Sequence, residues 1–273
     1  MANLSYYVDW DDDGSFANAY SDITDYVMTS SWRIGRSAAH EFDQAGSVSL
    51  VLDNSSSIFS SFNPDSPLHG KIMPDIRVKI AMTVGAVTTT MAVGYLDDIV
   101  PSVGQAPGAR LNTAELTGYG VLGQFTTGST HIPLQENYDT GSIVDAFLDS
   151  DDFSETERRI DTGQTTLSKF WAPLDSSRID ILRQLQAAEF GRVREGKDGF
   201  LCFESRAHIF TAPHDTPQAT YGDGTLRIWN LKQAAPRFGV FDHVTGQVRT
   251  FNISEDTVLV TLADVPTTRA ELR

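Results

Sequence analysis

The stretch Ser47-Val48-Ser49-Leu50-Val51-Leu52, closed by Asp53-Asn54, puts Val48, Leu50 and Leu52 on one side of an extended backbone. Successive side chains of a strand point to opposite faces, so this period of two predicts a half-buried strand. The short polar side chains of Asp53 and Asn54 favour the turn that ends it. Ile76-Arg77-Val78-Lys79-Ile80 alternates more clearly still, with two cations on its outer side. Outward from these two segments, residues 6–10 run into the turn signal Asp11-Asp12-Asp13-Gly14 as a hairpin does, and 88–93, 95–100 and 110–117 continue the series. Short strands punctuated by Gly and Pro predict a barrel or sandwich over residues 1–125.

Between 126 and 206 the pattern changes. Thr140 is placed to cap a helix over 141–149, whose apolar stripe is Ile143, Val144, Phe147 and Leu148. Ser177 reads as the N-cap of a second helix, with Asp180 three residues on, Ile179, Leu182, Leu185 and Ala188 along one face, and Gly191 as its C-cap. Residues 195–199 then make a hairpin turn into a strand at 200–203. From 207 the pattern returns to β, with strands at 238–241, 248–253 and 257–262 and loops at Pro213, Pro217 and Pro236. The ending, 266–273, does not read as a finished core element, so the chain is expected to continue into a longer parent or to lean on an ordered partner. The fold class is therefore mainly β with an α+β insertion: β domains at 1–125 and 207–273, and a two-helix α+β unit at 126–206.

Composition narrows the function. With 40% apolar residues in 273, the chain has enough to bury for folded domains. It lacks the run of about 20 apolar residues that a membrane span requires, and its first residues do not read as a secretory signal. The single cysteine, Cys202, excludes an intrachain disulfide framework and a multi-cysteine zinc site, and fits assembly in a reducing cytoplasm. A net charge of −15 argues against binding nucleic acid, because phosphate contacts require clustered Lys and Arg.

No arrangement of side chains points firmly to catalysis. Asp9, Asp11, Asp13 and Gly14 match the opening of an EF-hand calcium loop, but Tyr20 stands where the closing Glu belongs, so they are at best a weak metal candidate beside the reading as an acidic turn. Asp97-Asp98 and Asp151-Asp152 offer carboxylates for glycoside hydrolysis; neighbours on a strand point apart, and the second pair reads as a solvated loop after a helix. His40, His69, His131, His208, His214 and His243 are dispersed, without ligand spacing. Cys202, between Leu201 and Phe203, reads as a buried inert thiol. Trp10, Trp32, Trp171 and Trp229 are scattered, and core or interface packing explains them better than a sugar platform. No cofactor is implied.

An ordered series of segments carries a resemblance. It runs from Asp9-Trp10-Asp11-Asp12-Asp13-Gly14-Ser15-Phe16 through Asp22-Ile23-Thr24-Asp25-Tyr26-Val27 and Trp32-Arg33-Ile34-Gly35-Arg36. It continues with Ala45-Gly46-Ser47 and the strand to Asn54, then Ser66-Pro67-Leu68-His69-Gly70-Lys71-Ile72-Met73-Pro74, the strand from Ile76 to Ile80, and Gly94-Tyr95-Leu96-Asp97-Asp98-Ile99. In this order the segments resemble the opening of minor tail proteins of long-tailed phages, themselves similar to the baseplate hubs of contractile tails. The helix, Gly191, the turn at Asp198-Gly199 and the strand to Arg206 resemble that family's helix-and-hairpin insertion.

The resemblance implies a non-enzymatic virion protein of the tail tip, assembled in the host cytoplasm, with tail-tube-like β-barrel domains. Its expected form is a homotrimeric ring that closes or extends the tail tube and links it to the host-attachment apparatus. The implied partners are its own copies, a distal tail or tail-tube protein, the tape measure protein and other tip or fibre proteins. DNA would pass through the lumen at genome ejection without specific binding, and the acidity then reads either as solubility or as a wall to which DNA does not stick. Closure of a ring prevents open-ended growth. The loop from Phe59 to Met73 is the expected subunit contact, with Phe59, Phe62, Leu68, His69 and Met73 as candidates beside the reading as a simple surface loop. Two other classes compete: a receptor- or carbohydrate-binding module using Trp32 or Trp171, and a cell-wall hydrolase domain.

Overall fold

The structure, a computed structural model, describes residues 2–35, 42–106 and 109–217, all within one unit. The expected strands at 238–241, 248–253 and 257–262 lie outside the described residues, as does all of the expected third domain beyond 217. The strands are β1 (Ala2–Val8), β2 (Val27–Gly35), β3 (Gln44–Asp53), β4 (Arg77–Val84), β5 (Val87–Ala106), β6 (Ala109–Tyr119), β7 (Ser129–Asp139), β8 (Arg158–Ile160), β9 (Thr166–Ser177), β10 (Arg192–Glu195) and β11 (Leu201–Glu204). The helices are α1 (Thr140–Ser150) and α2 (Arg178–Glu189). The fold is mainly β with a small α+β portion.

The first six strands form one antiparallel sheet in the order β1-β4-β5-β6-β3-β2, curled into a half-barrel. One of its faces takes the residues that the period of two selects: Val48, Leu50 and Leu52 of β3 and Val78 and Ile80 of β4 are buried together with Trp10, Ile23, Leu96 and Leu116. Each such aliphatic side chain contributes about 1.5–3 kcal/mol of burial. Arg77 and Lys79 turn outward, the first to Glu157 and the second over the rings of Tyr7 and Phe16 at 4.8 and 4.5 Å.

Two strand expectations are corrected. Residues 6–10 do not start a hairpin: β1 begins at Ala2 and pairs with β4, Val8 opposite Val78, while the chain past the turn returns to β1 only at the bridge Tyr7–Asp22. The segments 88–93 and 95–100 are one strand of 20 residues. Gly94 does not break it; a Cβ there would stand 2.6 Å from the carbonyl oxygen of Tyr119, so glycine permits the two backbones to approach.

A second core gathers Val121, Leu122, Phe125, Ile143, Phe147, Leu182, Leu185, Val193 and Phe203. Around it lie α1, α2, the two-stranded ribbon β7–β9 and the sheet β10-β11-β8, in which β8 is parallel to β11. The apolar stripe of α1 is fully buried, but its cap is Asp139, which accepts from the Ser142 amide at 3.0 Å. Thr140 is instead the first helical residue, and its hydroxyl donates to Glu189 at 2.7 Å. Ser177 occupies the N-cap of α2 without a side-chain bond, and the helix ends on a left-handed Phe190, one residue ahead of the expected Gly191. The buried face of α2 is Ile181, Leu182, Leu185 and Glu189 rather than one running from Ile179 to Ala188.

Candidate functional site

The acidic turn comes first. Asp9 is fully buried and accepts from the amides of Gly14 at 2.7 Å and Asp13 at 3.3 Å. Asp11 pairs with Lys71 at 2.6 Å. Asp13 accepts from Asn18 and from the Ser15 amide, and these bonds hold its carboxyl below the usual carboxylate range. Each of the three carboxylates thus already has local partners, Asp9 and Asp13 on amides of the turn and Asp11 on Lys71. Among the described residues no three His, Cys, Asp or Glu side chains group to hold a metal ion.

The loop between β3 and β4 is a braced structure. Asn54, almost fully buried, accepts from the Phe59 amide at 3.0 Å and donates to Ser60 at 3.1 Å; Asn63 donates to the Ser57 carbonyl at 3.1 Å; Ser66 donates to the Ile58 carbonyl at 2.5 Å. Beneath them Phe59 and Leu68 are buried in the first core, Phe59 edge-on to Tyr26 at 5.2 Å. Phe59 and Leu68 are thus core residues, a correction to their reading as contact residues: a loop rich in Ser, Asn and Pro still needs apolar feet. Phe62 stands 90% exposed, and Met73 and His69 are exposed as well.

The sheet edges differ. On β1, Val8 donates to the Ser21 carbonyl at 2.9 Å and the Tyr6 carbonyl accepts from Ile23 at 2.9 Å, so 21–23 cover part of that edge. Among the described residues β2 pairs only with β3, which leaves its outer backbone groups facing away from the sheet.

A joint links the half-barrel to the second core. Glu195, 5% exposed at the end of β10, accepts from the Gly46 amide at 2.9 Å and the Leu122 amide at 2.7 Å. Burial pushes its carboxyl above the ordinary glutamate range; the two amides pull it down and Asp43 adds to the rise. Asp43 is buried and holds Arg192 through two bonds, at 3.1 and 2.9 Å. Sequence reading missed this joint, because a Glu before a Gly-rich turn looks like a surface residue.

The carboxylates considered for hydrolysis gather in part. Asp97, Asp151 and Asp152 line one cavity of about 690 Å³ with Asp75, Tyr119 and Arg178. A bulge in the pairing of β5 with β6 lies between Leu96 and Asp98, and both Asp97 and Asp98 are exposed, so the rule of opposite faces fails there. Asp151 is not solvated: it ion-pairs with Arg178 at 2.8 Å, and burial raises its carboxyl. Tyr119 donates to Asp75. Cys202 is buried, its thiol pushed up by burial. Trp10 is core and Trp32 half-buried against it, which removes Trp32 as an exposed platform; Trp171 is 43% exposed on β9. Trp229, His40 and His243 lie outside the described residues.

No protein-family model and no curated protein sequence matches the chain. Solved structures do. A 43 kDa tail protein of prophage MuSo2 from Shewanella oneidensis is 13% identical, with a TM-score of 0.47 over 74% of this chain and 54% of that one. A tail protein from Neisseria meningitidis MC58 is 10% identical, with a TM-score of 0.46 over 74% and 51%. A chain of the Francisella PdpA–VgrG complex is 9% identical, with a TM-score of 0.44 over 74% and 31%. The chain spans about half the length of the two tail proteins.

Proposed function

We propose that the chain is a structural component of a phage tail tip, a hub whose copies meet in a ring on the tube axis and join the tube to the host-attachment apparatus. The observation that carries this reading is the curled six-stranded sheet in which β2, among the described residues, has a strand partner on one side. An unpaired strand edge offers backbone donors and acceptors to a neighbouring chain, and head-to-tail contacts of this kind close into rings. Of the ordered segments quoted above, Ala45 to Asp53 and Arg77 to Ile80 lie in strands of this sheet. The second support is the loop that presents Phe62 on buried feet, since a braced loop backbone loses little entropy on docking. Homotrimer symmetry, contacts with tube and tape measure proteins, and passage of DNA through the lumen complete the reading.

Averaging the tail tip in images of intact particles tests it. Threefold density for this chain around the axis is the expected result; a peripheral position turns the reading to receptor binding, and absence from particles overturns it. Phe62→Ser is expected to leave the Tm of the isolated chain within about 2 °C, since surface substitutions stay within about 0.5 kcal/mol, yet to reduce incorporation into particles. Incorporation at the unaltered level would remove Phe62 from the contact. Among the described residues, the hydrolase reading rests on the cavity of Asp75, Asp97, Asp151 and Asp152. Peptidoglycan turnover that disappears in Asp151→Asn would replace the structural proposal with it.

A further inference from the structure

The end of α2 departs from a local rule. Phe190 adopts φ 55° and ψ 27°, the left-handed region in which glycine ordinarily ends a helix, although Gly191 follows directly. A Cβ is strained in that region, and with its ring 82% exposed the residue gains little packing in return. Phe190 lines a cleft of about 520 Å³ with Phe42, Ala187 and Ile209, and Ile209 is itself 64% exposed. That volume lies in the range of clefts that enclose a bound group.

Charge does not select the occupant. Arg183 pairs with Asp180 at 2.9 Å, Arg192 with Asp43 at 2.9 Å, and His208 with Asp161 at 2.7 Å and Glu204 at 3.5 Å. Arg206 donates its amide to the Glu189 carboxylate and its guanidinium to the Gln164 carbonyl. With these partners counted the cleft is close to neutral, and its exposed apolar side chains are what it offers. In a chain at −15, two copies repel each other except where both surfaces are uncharged.

The chain carries one surface that matches. Phe62, 90% exposed, stands in the run from Asn54 to Pro64, which holds no charged residue. The backbone on either side of it is fixed by the bonds of Asn54, Asn63 and Ser66. We infer that the cleft at the end of α2 receives Phe62 of a neighbouring copy, its ring against Phe190 and Ile209. This rests on the reading of the protein as a ring of copies, and it names where two of them meet. Aromatic rings pack edge-to-face or offset, which a Phe on each side permits. The protruding ring belongs to a loop of the first core and the cleft to the second, so the contact joins unlike surfaces, as head-to-tail assembly requires.

Sedimentation of the full chain at rising concentration tests the contact. The native chain is expected to associate, and more strongly as salt rises, because salt screens the repulsion between copies. Phe62→Ser and Phe190→Gly are each expected to weaken association about tenfold or more. The double variant is expected to be no weaker than either, since both remove the same contact. Phe190→Gly is expected not to lower the Tm, because glycine adopts the left-handed region freely. Additive losses, association that weakens with salt, or no association at all overturns the inference. So does a lowered Tm in Phe190→Gly, which would make the ring a support of the fold. The assembly is read separately, from the averaged tail tip. Threefold density together with additive losses would sink this contact and leave the ring of copies standing. Shared losses in a chain found off the axis would keep the contact and remove the ring of copies.

Discussion

Glu189→Ala is expected to cost the described unit about 4 kcal/mol in urea unfolding, the largest loss among single substitutions away from the aliphatic cores. Glu189 is fully buried at the last turn of α2. Its carboxylate accepts from the Thr140 hydroxyl at 2.7 Å, from the amides of Gln164 and Thr165 at 3.1 and 2.9 Å, and from the Arg206 amide at 3.3 Å. Those donors belong to the first residue of α1, the segment entering β9 and the segment leaving β11. One side chain thus ties three chain segments, of which the first two also meet at the end of the β7–β9 ladder, where the Thr140 amide donates to the Thr165 carbonyl at 3.0 Å. Removing it strands buried donors at about 1–3 kcal/mol each, less what water recovers. Glu189→Gln keeps an acceptor but adds donors that lack partners, and about half the loss is expected. A loss below about 1 kcal/mol for the Ala variant would sink this account.

The same carboxylate sets an acid limit. Burial pushes Glu189 up, but the Thr140 hydroxyl and the three amides outweigh it, and the net displacement is downward. Asp139 is also lowered: burial raises it, and Ser142 with the amides of Gly163 and Gly141 outweighs that. A group whose folded pKa lies below its unfolded value stabilises above the unfolded value, and the contribution is lost as pH falls through the folded one. Stability is therefore expected to fall below the ordinary carboxylate range, and to fall less steeply in Glu189→Ala. An unchanged slope in that variant would assign the acid sensitivity to other carboxylates.

What the sequence made legible was whatever declares itself by period. β3 and β4 alternate because one face meets the core and the other meets solvent, and burial follows the pattern from Val48 to Leu52 and from Arg77 to Ile80, until a bulge buries Ala81 as well. β5 was misread at Gly94, since a glycine that permits close backbone approach is written with the same letter as one that ends a strand. The face of α2 slipped because Glu189, a buried residue, counts as polar in any periodicity. Phe59 and Leu68 sit in a stretch whose Ser, Asn and Pro announce a loop, and nothing local says that the loop folds its apolar residues under itself. The joint at Glu195 pairs residues 149 positions apart, a separation that no local pattern encodes. The site features that escaped are thus long-range bonds to buried carboxylates.

That joint carries the second large expectation. Gly120→Ala is expected to destabilise the unit by about 3 kcal/mol, although Gly120 has an ordinary extended backbone, φ −80° and ψ 172°, that alanine adopts freely. The cause is space alone. A methyl at 120 would overlap both carboxylate oxygens of Glu195, and one at Gly46 would stand 2.5 Å from one of them. The carboxylate cannot stay on the amides of Gly46 and Leu122 with that methyl present, and leaving them unpairs two buried donors and a charge between the two cores. A double-mutant cycle separates this from a general intolerance of alanine. Glu195→Ala alone also loses stability, but it empties the space the methyl needs, so the double variant is expected to be little worse than Glu195→Ala. Additive losses would mean that Gly120 matters for some reason other than the carboxylate. The linkage has the opposite sign to that of Glu189: a carboxyl raised in the folded state contributes most below its unfolded pKa, and loses that as pH rises through the folded one. The joint between the two cores is therefore held by a carboxylate whose contribution is largest in acid, and the second core by one whose contribution is lost there, and Glu195→Ala is expected to flatten the decline on the alkaline side of the carboxylate range while leaving the acid side in place.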